Sequence, residues 1–245
     1  MDEKTKDKLK LCLALSILLI IIVCVIIVII NYQVQGEKNM PYKLSKITII
    51  STAEGVQNSD DTDSSKWNLN IYQNNDVYFF IDKNGEDAII NKVTIQNINV
   101  LKEPTVGKVK SYMPNSQEGR QFLLKEEYEI KDSLTYEGST TSDTKKLTVA
   151  NQGGTVLIRF ANTQIGNYVS SEDDEIKHDG SLIKKLGYTD EDVAFDVNFD
   201  LIIEVNDIKY KANITLNLPS DGLCKDGISS KEITTTDNIV FKRIR

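Results

Sequence analysis

Histidine is nearly absent from this chain: His178 is the only one in 245 residues. A metal site built on several imidazoles is thereby excluded, and any histidine-based triad would have to use that residue. Cysteine is scarce too. Cys12 and Cys24 lie inside an apolar run, so Cys224 has no partner for a disulfide in the remainder of the chain. No Gly-rich phosphate loop, H-E-x-x-H, C-x-x-C or G-x-S-x-G occurs. The usual signatures of nucleotide binding, zinc proteolysis, dithiol redox chemistry and serine hydrolysis are therefore missing. Internal repeats and low-complexity tracts are missing as well.

Beyond the N-terminus acidic residues outnumber basic ones. The net charge is −7. Four lysines against Asp2, Glu3 and Asp7 give the first ten residues +1, and residues 11–30 are uncharged, so −8 lies beyond them. An acidic domain is repelled by nucleic acid and anionic polymers, and no basic cluster offsets that.

What is abundant at the N-terminus is aliphatic side chain. Sixteen of the twenty residues from Leu11 to Ile30 are Leu, Ile or Val. Twenty helical residues span about 30 Å, the thickness of a bilayer's hydrocarbon core. The alternative is a cleaved signal peptide, whose apolar part is shorter and ends in small residues. Here the run ends Val28-Ile29-Ile30-Asn31-Tyr32, with no A-x-A-like site, and neither Cys12 nor Cys24 follows a small residue as lipoprotein processing requires. The reading is an uncleaved transmembrane anchor over 11–30. Lys4, Lys6, Lys8 and Lys10 crowd its N-terminal flank, while the next basic residue is Lys38. That bias predicts a cytoplasmic tail over 1–10 and a C-terminal part outside the cell membrane.

After a polar linker over 31–41, strand signals dominate. Tyr42–Ser51, Trp67–Ile71 and Val77–Ile81 read as strands, with Asn74-Asn75-Asp76 as a turn between the last two. Val93–Val100 changes phase at Gln96-Asn97, as a β-bulge does. Residues 102–120 hold Pro104, Gly107, Pro114 and Gly119 and are a candidate break between subdomains. Strands are predicted again at Phe122–Ile130, Leu147–Ala150 and Thr155–Phe160, with Asn151-Gln152-Gly153-Gly154 as a hairpin turn. Residues 193–205 and 208–218 alternate without interruption around Asn206-Asp207. Pairing across that turn sets Val205 opposite Ile208, Ile203 opposite Tyr210 and Phe195 opposite Leu218. The other face of this hairpin, with Asp196, Asn198, Asp200 and Glu204, is predicted to be mostly wet. A single short helix is expected at Ser181–Leu186, stopped by Gly187. The fold class that follows is an all-β, sandwich-like extracytoplasmic domain over 42–245, behind one N-terminal transmembrane helix.

Chemistry-bearing residues are sparse. Ser142–Lys145 and Ser181–Lys184 match S-x-x-K, in which a lysine one helical turn on can activate the serine, but the companion K-T-G and S-D-N motifs are missing. Cys224 with His178 is a nominal nucleophile and base with nothing local to join them. Three acidic runs could offer oxygens to extracellular Ca²⁺. The candidate ligands are Glu172, Asp173, Asp174, Glu175 and Asp179, with Asp60, Asp61, Asp63 and Asp190, Glu191, Asp192 as further loops. The EF-hand spacing fails, since Lys66 stands where glycine is required after Asp61. Trp67, Tyr72, Tyr78 and Phe79 could stack on a sugar, but alternation of Trp67 with Leu69 and Ile71 assigns it to the core.

Taken together, Thr52-Ala-Glu-Gly55, the run Trp67–Asp76, Asn151-Gln-Gly-Gly154 and Glu175–Gly180 resemble uncharacterised single-pass membrane-anchored proteins of low-GC Gram-positive, clostridial-type bacteria. The resemblance implies a cell-surface setting and carries no activity, cofactor or site residue. The expectation is a membrane-anchored, non-catalytic binding or structural module, with an envelope protein as candidate partner, no nucleic acid, and no small-molecule substrate identified. A membrane-anchored envelope hydrolase is the alternative.

Overall fold

The computed structural model describes residues 3–31, 40–58, 66–85, 87–116, 121–141, 143, 145–170 and 181–244. It opens with one long helix, α1 (Glu3–Asn31). The stretch Lys8–Ile29 is long and apolar enough to cross a membrane, and none of it is buried against the rest of the protein. Ser16, a polar residue in this stretch, donates its hydroxyl to the Cys12 carbonyl at 2.9 Å, which satisfies it without a partner outside the helix.

Strands follow: β1 (Tyr42–Gln57), β2 (Asn68–Lys83), β3 (Ile90–Lys102), β4 (Lys108–Tyr112), β5 (Ser133–Ser139), β6 (Thr148–Ala150) and β7 (Gly154–Val169). Then come α2 (Ser181–Lys185), β8 (Phe195–Val205), β9 (Ile208–Leu218), α3 (Leu223–Asp226), β10 (Ile228–Ile233) and β11 (Lys242–Ile244). They form two sheets. The first runs β10-β1-β2-β7-β4 and the second β11-β9-β8-β3-β5-β6. All neighbours are antiparallel except β5 and β6. The chain is an all-β domain behind an apolar N-terminal helix.

The inner faces meet in one core. Ile47, Ile49, Val77, Phe79, Ile158 and Phe160 from the first sheet pack on Val93, Ile95, Phe199, Leu201 and Ile214 from the second. Phe199 stands edge-on to Phe79 at 5.6 Å and stacks on Phe160 at 5.9 Å. Residues 103–107 lead from β3 of the second sheet into β4 of the first, and strands before and after them share both sheets and this core.

The β8–β9 hairpin has the expected register, with Val205 opposite Ile208, Ile203 opposite Tyr210 and Phe195 opposite Leu218. Asn206 and Asp207 both have positive φ, 48° and 64°, the geometry that matches strand twist in a two-residue turn. The bulge in β3 is present: pairing with β8 skips from Gln96 to Asn99, and Asn97 has φ 54°. On the hairpin's outer face Asp200 is buried rather than wet. It accepts from Asn97 Nδ2 at 2.9 Å and Asn213 Nδ2 at 3.0 Å, and Lys211 lies 3.4 Å away.

Elsewhere the structure corrects the local reading. Asn74-Asn75-Asp76 is no turn: β2 runs straight through it. Asn75 is fully buried, donating to the Phe160 carbonyl at 3.0 Å and accepting from the Ser51 hydroxyl at 2.8 Å. A buried amide with its hydrogen bonds made is compatible with a central strand. Phe122–Ile130 is not a strand but carries a 3-10 turn at Glu126–Tyr128 and an isolated bridge to Pro114. Residues 151–154 make no hairpin, because β6 lies in the second sheet and β7 in the first.

The long strands of the first sheet extend beyond the main core. A second apolar cluster covers that end: Ala53, Leu69, Ile71 and Ile165 meet Leu182 and Ile183 of α2 and Leu223 and Cys224 of α3. Between the two clusters lies a buried polar belt of Ser51, Gln73, Asn75 and Asn162, joined by Ser220.

Candidate functional site

Of the residues singled out in the sequence, Cys224, Asp190 and Asp192 are engaged structurally. Cys224 is buried in the second cluster. Burial, then Asp190, pushes its thiol up to about 12, so it is not a thiolate at neutral pH. Asp190 accepts the Cys224 and Gly222 backbone N–H groups at 2.7 and 3.2 Å. Asp192 accepts from the Thr189 backbone N–H and hydroxyl, both at 2.9 Å, which hold its carboxyl below the usual range. These carboxylates cap turns. Ser181 opens α2 as expected, and Lys184 of its S-x-x-K is exposed. In the other copy, the Lys145 backbone N–H donates to Asp143 Oδ1, while Ser142 lies outside the described residues. So do His178, Glu172, Asp173, Asp174, Glu175, Asp179, Asp60, Asp61 and Asp63. Among the described residues no three His, Cys, Asp or Glu side chains stand together as metal ligands.

The aromatic platform does not assemble. Phe79 points into the core, whereas Tyr72 and Tyr78 lie on the opposite face of β2. Trp67 is 51% exposed, although Leu69 and Ile71 are each 1% exposed. It precedes β2, where the alternation of the strand no longer dictates burial.

The outer face of the first sheet carries an arrangement that the sequence reading missed. Register places Val56, Asn70 and Asn167 in one row across β1, β2 and β7, with Glu54 and Tyr72 in the next and Thr52, Asn74 and Ala161 after that. Glu54 gathers three donors: Thr52 Oγ1 at 3.0 Å, the Tyr72 hydroxyl at 2.9 Å and Asn74 Nδ2 at 3.1 Å. Burial and then the Glu54 charge hold the Tyr72 phenol well above its ordinary pKa, so it stays a neutral donor. Farther along, Arg159 grips Asp76 with both arms, at 2.6 and 2.8 Å, and lies over the Phe122 ring.

At Tyr72, between the Asn70 and Asn74 rows, the β2–β7 ladder breaks. Pairing skips from Ile71–Gly166 to Gln73–Asn162, so three β7 residues face one on β2. Gln164 sits at the top of this bulge with φ 62°, a conformation costly for a side chain of this kind. The bulge walls a cleft of about 420 Å³ lined by Asn70, Ile71, Tyr72, Leu124, Thr163, Gln164, Gly166 and Asn167. No lining side chain is charged. In sequence Asn70 reads only as a polar position of the Trp67–Ile71 strand, and nothing marks Gln164 or Asn167.

Comparison with known proteins adds no assignment: no family model, curated protein or solved structure matches the chain.

Proposed function

We propose that this protein is a membrane-anchored extracytoplasmic module that works by binding and performs no chemistry. The helix α1 serves as an uncleaved anchor with its lysine-rich end in the cytoplasm, in a Gram-positive type of envelope. The observation that carries the reading is the outer-face cleft, a concave site held by hydrogen bonds on a rigid sheet and re-aimed by a bulge. Bulges recur beside binding sites because they turn one side chain out of the ladder, and recognition residues placed on regular elements keep their geometry. The cleft lies beside Val56, fourteen residues along β1 from Tyr42, or about 45 Å from where the linker joins. That leaves room for an envelope partner.

A photo-crosslinking residue placed at Val169, an exposed neighbour of Asn68 on this face, tests the reading in intact cells. A discrete adduct is expected there and none from the same residue at Thr215, on the outer face of the second sheet. Equal capture from both positions, or from neither, would overturn it.

A further inference from the structure

We propose that the outer-face cleft is a binding site for an uncharged, hydroxyl-rich ligand, a neutral glycan. The inference deepens the binding reading above and rests on it. The first support is what lines the site. Asn70, Gln164 and Asn167 contribute three carboxamides, each with two donors and an acceptor. All three are exposed, and none hydrogen-bonds another side chain among the described residues. Sugar hydroxyls both donate and accept, and a carboxamide answers both at once, where ammonium or carboxylate answers only one.

The second support is Tyr72. Its phenol is fixed on Glu54, so the ring is held in one pose beside the amides. Leu124, half-buried, adds apolar surface, while the Ile71 side chain turns inward into the second cluster. An amphipathic ring next to aliphatic carbon suits the C–H face of a pyranose while the amides take its hydroxyl edge. The Thr163 hydroxyl is already donated to the Lys108 carbonyl at 3.0 Å and is left as an acceptor.

The third support is Gln164 itself. A left-handed glutamine is held there by the ladder on both sides of the bulge, and strained backbone of this kind is found where geometry serves a ligand. The volume, about 420 Å³, falls within the range of small-ligand sites, about 300–1,000 Å³. Charge separates the alternatives. A phosphate-rich or acidic polymer would meet no cation in the lining and an acidic domain around it. A basic peptide would find no carboxylate there.

The full chain in nanodiscs of zwitterionic lipid is titrated calorimetrically with neutral hexasaccharides of glucose, mannose, galactose and N-acetylglucosamine, with polygalacturonate as the anionic control. At least one neutral hexasaccharide is expected to bind and polygalacturonate is not. Asn70→Ala and Asn167→Ala should each weaken binding about five-fold, as for a lost hydrogen bond. Gln164→Gly, which suits the left-handed backbone, should weaken it to a similar degree with an unchanged melting temperature. Absence of binding by every neutral hexasaccharide, or binding that these three variants leave intact, overturns the proposal, as does equal binding of polygalacturonate. A protein captured at Val169 with no glycan bound would remove the glycan and leave the binding module standing. Failure of both experiments would remove the two together.

Discussion

Two residues concentrate the physical argument. Gln164 pays a backbone penalty at φ 62°, and relief of that strain offsets the extra chain entropy that glycine brings. Gln164→Gly should therefore lie within about 0.5 kcal/mol of the native chain in denaturant unfolding, while the β-branched Gln164→Val should cost more than about 1 kcal/mol. Equal stabilities would show that the bulge relaxes. Cys224 is the second. Its thiol is raised to about 12 by burial and Asp190, against about 8.5 in an unfolded chain. The folded state thus holds the proton more tightly. This stabilisation is complete below about pH 8.5 and is lost as pH climbs towards 12, at up to about 1.4 kcal/mol per pH unit. Tyr72 and Tyr42 have phenols shifted upward as well and add losses of the same sign. Cys224→Ala should flatten, without abolishing, the fall in stability between pH 9 and 11. An identical slope in that variant would contradict the assignment. At pH 8 the folded protein should also leave Cys224 unmodified by an aromatic disulfide reagent until denaturant is added.

Among the elements, the β8–β9 hairpin supplies the sharpest contrast between faces. Phe199 touches Phe79 and Phe160 in the core, so Phe199→Ala should cost about 3–5 kcal/mol. Thr215 is exposed on the other face, and Thr215→Lys should stay within about 0.5 kcal/mol. Comparable melting shifts for the two would overturn the assigned faces. This hairpin was legible in sequence down to its register, because period-two alternation over both strands allows only one pairing that keeps every apolar side chain inside. The β3 bulge was legible for the same reason, as a slip in phase. The centre of β2 was not. Asn75 and Gln73 occupy inward positions that alternation assigns to apolar residues, and local propensity reads three consecutive Asn and Asp residues as a turn. Only the long-range partners, Ser51 from β1 and the Phe160 carbonyl from β7, make a strand there affordable. The candidate site was hidden for a related reason. It depends on a mismatch between β2 and β7, distant in sequence, and nothing in either strand alone announces it. Asp200 was misread as wet because the amides that satisfy it come from Asn97 and Asn213 on neighbouring strands.

For the whole molecule, the account joins one apolar helix to one sandwich. Lys8–Ile29 is the one stretch among the described residues that has membrane-crossing length and composition. A chain lacking residues 1–37 should therefore stay with the soluble fraction in a liposome flotation assay while the full chain floats. A truncated chain that still floats would reveal a second membrane contact. The side on which the sandwich sits is the central claim, since a recognition face is of use to an envelope module only outside. The native thiols make this measurable: Cys12 and Cys24 lie in the apolar helix and Cys224 is buried. The direct test is labelling of intact cells with a membrane-impermeant maleimide, using Thr215→Cys in the sandwich and Thr5→Cys in the lysine-rich first turns of α1, before its apolar stretch. The account predicts that Thr215→Cys is labelled at once and Thr5→Cys only after permeabilisation. Labelling in the reverse order would contradict it.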